Sequence, residues 1–278
     1  MKTSKSLEKQ IAWVMWIALE VFAMQAWCAA GPRSAANSVF NAYVQNLEGR
    51  LQRQHGGARD FLAATPPEAL RRLREGELIG EQLTPAGLDT PGAMLHHWRG
   101  TAFVAGARAE DFERLLQDFT TYPQHYAPQV VRARLLSHEG DRYAAWLRVR
   151  QHHVLTVVMD TSYDVVFGRL DARHGYSASR STRSAEIEGA GTAHERELRA
   201  DEEHGFLWRL NSYWSYAEAD GGLYMQIESV SLTRDIPRGL SWIVGPFVQS
   251  IPRESLEFTL SATRNALREE AAREGTKQ

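Results

Sequence analysis

One cysteine, Cys28, is the only thiol in the 278 residues. That excludes an internal disulfide and a zinc site built from several thiolates. Net charge is almost absent as well: 32 Lys and Arg stand against 34 Asp and Glu, for a formal charge of -2. Such a balance gives no overall electrostatic reason to bind nucleic acid or an anionic membrane surface. The chain also lacks a Gly-rich phosphate loop, a Gly-x-Ser-x-Gly elbow and a His-Glu-x-x-His helix, so no cofactor, metal or catalytic residue is indicated by motif. There is no long internal repeat and no low-complexity segment. What the chain has is a hydrophobic fraction of 43%, enough at this length to bury a substantial core.

The first thirty residues differ from the rest. Lys2, Lys5 and Lys9 precede an apolar run from Ile11 to Leu19, and after Glu20 apolar residues resume through Trp27. Cys28, Ala29 and Ala30 then lead into Gly31 and Pro32. A basic start, an apolar centre and small residues before the boundary make a secretory signal peptide, residues 1–30, cleaved after Ala30. The alternative is an uncleaved anchor, because the run through Trp27 approaches the length of a membrane span. Lipidation of Cys28 would want a Leu-like residue three positions earlier, where Gln25 stands. The expectation is an exported, periplasmic protein whose mature form has no thiol, with at most transient membrane contact.

Helical spacing of Phe40, Tyr43, Val44, Leu47 and Leu51 predicts a helix over Ser34–Gln54, ended by His55-Gly56-Gly57. Thr65-Pro66-Pro67-Glu68 reads as the start of a second helix, with Thr65 as cap and Leu70, Leu73 and Leu78 as its stripe. These form a helical extension, residues 31–92, whose end, Pro85 to Gly92, is a linker. The main domain, 93–268, opens with a strand from Met94 to Val104 and an amphipathic helix from Ala109 to Phe119. Strands follow at Val130–Leu136, Tyr143–Arg150, Val154–Phe167, Tyr176–Ile187, Phe206–Tyr216 and Leu223–Arg234. Asp220-Gly221-Gly222 supplies the turn of the last hairpin. Pro237 to Ser250 is a helix interrupted at Gly245-Pro246, and Pro252 opens another that carries Leu256, Leu260, Thr263 and Leu267. Residues 269–278 are a charged, frayed tail.

Three features then carry a resemblance: the helix ending in Asp118-Phe119-Thr120-Thr121-Tyr122-Pro123 and reaching Pro128-Gln129-Val130, the serial antiparallel strands, and the closing helix after Arg234-Asp235-Ile236-Pro237. From Met94 to Leu267 the chain resembles the START-related helix-grip superfamily (SRPBCC), which includes polyketide cyclase-like and coenzyme Q-binding proteins. The resemblance implies an α+β fold in which a curved antiparallel sheet grips a long C-terminal helix, here with an N-terminal helical extension. It also implies that a lipid, quinone or polyketide-like molecule sits in a cavity beneath the last helix.

Candidate ligand contacts follow from strand parity. Trp208, Trp214 and Tyr216 share one face of their strand and suit a greasy or flat ligand, whereas Tyr213 has the opposite parity. The plain alternative is that these rings fill the core. Arg180 and Glu228 are candidates for an inward charged contact, to each other or to a ligand, against the commoner outcome of a solvated sheet face. Arg183 and Glu186 share the Arg180 strand, and Trp242 and Phe247 join the set from the segment Ile236–Ile251, expected to close the cavity. The pairs His96-His97 and His152-His153 point to opposite strand faces, so neither chelates one metal. The resulting expectation is a binding protein for a hydrophobic or amphipathic small molecule, without turnover. A cyclase- or dehydratase-like enzyme using an inward Tyr, Arg or Glu, and a structural envelope protein with a filled core, are the alternatives. Nothing in the sequence speaks to oligomeric state.

Overall fold

The computed structural model describes residues 34–152, 156–235 and 241–275, without the side chains of 241–249 and 273–275. The expected signal peptide, residues 236–240 of the expected closing segment, and the side chains of Trp242 and Phe247 lie outside the described residues.

Two helices, α1 (Ser34–Gln54) and α2 (Pro67–Arg74), precede the sheet. Strands β1 (Ile79–Gln82) and β2 (Ala93–Ala105) lead into α3 (Ala109–Gln117) and a short turn, α4 (Tyr122–His125). Then come β3 (Val130–Glu139), β4 (Arg142–His152), β5 (Thr156–Asp171) and β6 (His174–Glu188). A two-residue β7 (Arg196–Glu197), β8 (Arg209–Ala219), β9 (Gly222–Arg234) and α5 (Ser241–Gly275) complete the order. The sheet runs β1-β2-β9-β8-β6-β5-β4-β3, antiparallel throughout and open at β1 and β3, with β7 attached to β6. This is the helix-grip arrangement: a curved, unclosed antiparallel sheet with a long final helix.

Local chemistry explains the sheet's centre. Asp220 and Gly221 have φ of 54° and 76°, the left-handed pair that a tight hairpin needs, so β8 and β9 fold back with matching twist. The β2–β9 register then runs without a break from Ala93↔Arg234 to Ala105↔Gly222. Alternation gives this sheet two apolar faces. On the inner face Ala102, Val104, Leu223, Met225 and Ile227 pack with Leu256, Leu260 and Leu267 of α5. On the outer face Leu95, Tyr213, Val230 and Leu232 pack with Phe40, Val44, Leu47 and Leu51 of α1. Each such buried aliphatic side chain contributes about 1.5–3 kcal/mol, so both helices are held mainly by area removed from water.

Several details differ from expectation. α2 is capped by Pro66 without a side-chain bond, because the Thr65 hydroxyl turns back to donate to Ala63 O at 3.2 Å. It stops at Arg74, which leaves Leu78 outside the helix and packed on the inner core. β1 lies within the stretch expected to be helical extension and linker; it pairs with β2 from Ile79↔Thr101 to Gln82↔Trp98. The C-terminal region is one helix rather than two, running through Pro246 and Pro252 and on into the stretch expected to fray. Each proline removes one amide donor from the helical ladder without ending the helix.

Candidate functional site

Residues in register across the strands form rows on the inner face, and the rows change character at Gly100. Toward the β8–β9 turn, Ala102–Met225–Tyr216–Gly175 and Gly100–Ile227–Trp214–Ser177 are buried along their whole length. α3 seals this end: Phe112 meets the rings of Trp214 and Tyr216 edge-on, at centroid distances of 5.2 and 4.9 Å. The Tyr216 hydroxyl donates to Glu113 Oε2 at 2.9 Å, and Arg169 Nε donates to the same oxygen at 2.7 Å. Burial, then the Glu113 charge, raises the Tyr216 phenol well above its ordinary value, so it stays a donor. Trp214 and Tyr216 thus belong to the sheet–helix side but within its packed band.

The next row is different. Trp98, Ser229, Ser212 and Ser179 stand side by side on β2, β9, β8 and β6, and all four are only half-buried although they lie mid-sheet. Beyond them come His96, Ser231 and Leu210, with Leu210 N donating to Ser181 Oγ at 2.8 Å. His96 and Ser231 are each 7% exposed. The atoms His96 Nε2, Trp98 Nε1, Ser184 Oγ and Thr233 Oγ1, all on this face, are buried and make no hydrogen bond among the described residues. Such groups are costly to leave unpaired, which is why they are rare in folded proteins. Burial lowers the His96 pKa, which favours the neutral imidazole. Burial pushes Tyr163, on the same face of β5, up to about 12, so its phenol is a hydrogen-bond donor at neutral pH and a poor base. Of this set the sequence analysis singles out His96, as one of a pair that does not chelate a metal.

Arg180 and Glu228 are not on this face. Both lie on the outer side, under α1, because residues one position removed from Ser179 and Ser229 point the opposite way. Arg180 Nε donates to Glu48 Oε1 at 2.6 Å, and Tyr213 donates to the same oxygen at 2.8 Å. Glu228 is held by Arg50 at 2.5 Å, Arg99 at 2.9 Å and His97 Nε2 at 2.9 Å, and Tyr43 lies 2.8 Å from His97 Nδ1. Burial would raise the Glu228 carboxyl, but the His97 bond and the charges of Arg99 and Arg50 bring it down to about 2. The Tyr43–His97–Glu228 line has the connectivity of a catalytic relay. Burial and the Glu228 charge raise the Tyr43 phenol, however, the opposite of an activated nucleophile. The cluster joins α1 to the sheet.

Trp208 also leaves the expected face. β8 begins at Arg209, and the ring of Trp208, just before it, packs with the outer cluster beneath α1. Arg183 pairs with Glu197 at the surface. Glu186 accepts from the backbone amides of His204, Gly205 and Phe206 at 3.0, 2.8 and 3.1 Å and from His204 Nδ1 at 2.7 Å, pinning the loop before β8. His96 faces inward and His97 outward. Among the described residues no three His, Cys, Asp or Glu side chains gather as a metal site. A recess of about 190 Å³ near the turn end, lined by Arg108, Arg173 and Glu218, has Glu218 already bonded to Ala109 N at 2.7 Å.

No protein-family model matches the chain, and no curated protein does. Among solved structures, the chain is similar to a STAR-related lipid transfer protein from Xanthomonas axonopodis, at 19% identity and a TM-score of 0.43, over 69% of this chain and 98% of that one. It is similar to a START superfamily protein from Mycobacterium smegmatis at 15% identity and TM-score 0.41, over 62% of this chain and 97% of that one. It is also similar to an aromatase/cyclase from a Streptomyces species at 16% identity and TM-score 0.41, over 65% of this chain and 95% of that one. The helix-grip fold follows from the strand order and from the seat of α5 on the sheet.

Proposed function

We propose that this protein binds a hydrophobic or amphipathic small molecule on the inner face of the sheet, beside α5, and that it does so after export to a periplasm-like space. The observation that carries the reading is the half-buried row Trp98–Ser229–Ser212–Ser179, directly beside the fully buried row Gly100–Ile227–Trp214–Ser177. On β9 and β8 a filled core would be expected to carry large apolar residues at Ser229 and Ser212, as Ile227 and Trp214 are one row away. Serines instead leave space, and space bounded by apolar rings on one side and hydroxyls on the other fits a greasy molecule with a polar end. Export rests on the basic start, the apolar run and the Ala30-Gly31 boundary.

Purification from native cells, solvent extraction and mass spectrometry test the binding role. A stoichiometric amphipathic molecule in the extract supports carriage. Recovery of a chemically altered form of an added candidate favours the cyclase-like alternative. Protein that comes out empty and takes up no hydrophobic probe contradicts the proposal.

A further inference from the structure

We infer that the molecule held at the Trp98 row is uncharged and presents an acceptor oxygen, as an ester, ketone or alcohol does, rather than a carboxylate or phosphate. The inference rests on the binding role proposed above and narrows it.

Two facing requirements lead there. Trp98 Nε1 is buried and unbonded among the described residues, and an indole N–H only donates, so it needs an acceptor. His96 stands two residues away on the same strand face, about 7 Å along β2, with Nε2 also buried and unbonded. One polar group lodged between them satisfies Trp98 directly and His96 as either donor or acceptor, according to tautomer. Thr233 Oγ1, opposite Met94 and one row beyond His96, is likewise unbonded among the described residues on this face.

An anion also carries acceptor oxygens, but these rows offer nothing to balance its charge. Trp98–Ser229–Ser212–Ser179 and His96–Ser231–Leu210 include no Lys or Arg. Burial lowers the His96 pKa, which favours the neutral imidazole over a cation that could pair with an anion. The arginines near the sheet's centre are engaged on the outer face, Arg99 with Glu228 and Arg180 with Glu48. A carboxylate or phosphate seated at Trp98 would lose its hydration without a counter-charge, whereas an ester or alcohol loses far less.

A series with one alkyl chain tests this on the mature protein: hexadecane, palmityl alcohol, methyl palmitate, palmitate and palmityl phosphate, each titrated against intrinsic tryptophan fluorescence at neutral pH. The expected ranking places methyl palmitate and palmityl alcohol about tenfold or more tighter than palmitate and palmityl phosphate. Trp98→Phe is expected to collapse the ratio of methyl palmitate affinity to hexadecane affinity, both measured on the variant, toward one. A preference for palmitate or palmityl phosphate overturns the inference, as does a Trp98→Phe protein that keeps the full ester advantage. If that variant fails to fold, the ranking on the unaltered protein still decides. Hexadecane bound with no head-group preference sinks this inference alone; failure of all five probes, hexadecane included, sinks the binding role beneath it.

Discussion

Gly100 of β2 lies so close to Leu256 of α5 that a Cβ added at Gly100 would stand 2.6 Å from Leu256 Cδ2. The same atom would meet Leu260 Cδ2 at 3.0 Å. The absent side chain therefore sets how deeply the final helix seats, at the boundary between the packed band and the hydroxyl row. Gly100→Ala is expected to lower stability by about 1–3 kcal/mol through overpacking, measured by urea unfolding. Unchanged stability would mean that α5 is not seated here as described.

The two tryptophans of the β8 region are expected to separate. Trp214, 7% exposed and flanked by Phe112, should lose about 3–5 kcal/mol on truncation to Ala. Trp208, half-buried under the edge of α1, should lose less and should leave small-molecule binding untouched. A Trp208→Ala protein that folds normally but loses binding would place that ring in the pocket after all.

Acid should weaken the seat of α1. The Glu228 carboxyl has a folded pKa of about 2 against an ordinary 4.5, so the unfolded chain binds the proton more readily between those values. Its contribution is fully present above about pH 4.5 and is lost as pH falls toward 2, and the shift corresponds to roughly 3 kcal/mol. Urea titrations between pH 2.5 and 6 should show this slope, and Glu228→Gln should flatten it while lowering stability at neutral pH, about those pH limits being set by the two pKa values. A slope identical in the variant would assign the acid sensitivity elsewhere.

Much of this fold is legible in the residue pattern, and the site is not. The spacing of Phe40, Val44, Leu47 and Leu51 describes α1 and its buried face, and alternation separates Trp214 and Tyr216 from Tyr213. Trp208 broke that alternation because the strand starts one residue after it, and periodicity cannot locate a strand's first residue. Arg180 and Glu228 were misplaced for a deeper reason. Helices cover both faces of this sheet, so a buried charge on the α1 side has the same local signature as one beside a ligand. The serine row was invisible because an alternating serine looks the same whether it faces solvent or an enclosed space. Pro246 and Pro252 read as breaks because a proline removes a helical donor, yet α5 runs through both.

Export makes its own prediction. Amino-terminal sequencing of the protein from an envelope fraction should begin at or near Gly31. An intact Met1 in the cytosol would refute export, and an intact Met1 in the inner membrane would favour an anchor.

The binding role stands or falls on the space above Ser212, at the centre of the half-buried row. Ser212→Trp places a large ring there. Measured together, labelled methyl palmitate binding and the thermal midpoint give a direct answer. If the row floors a pocket, binding falls at least about tenfold while the midpoint holds or rises, because the ring fills space that was already open. If the row is part of a filled core, the added ring is overpacked and the midpoint drops; that result, or binding that survives the substitution, contradicts the account.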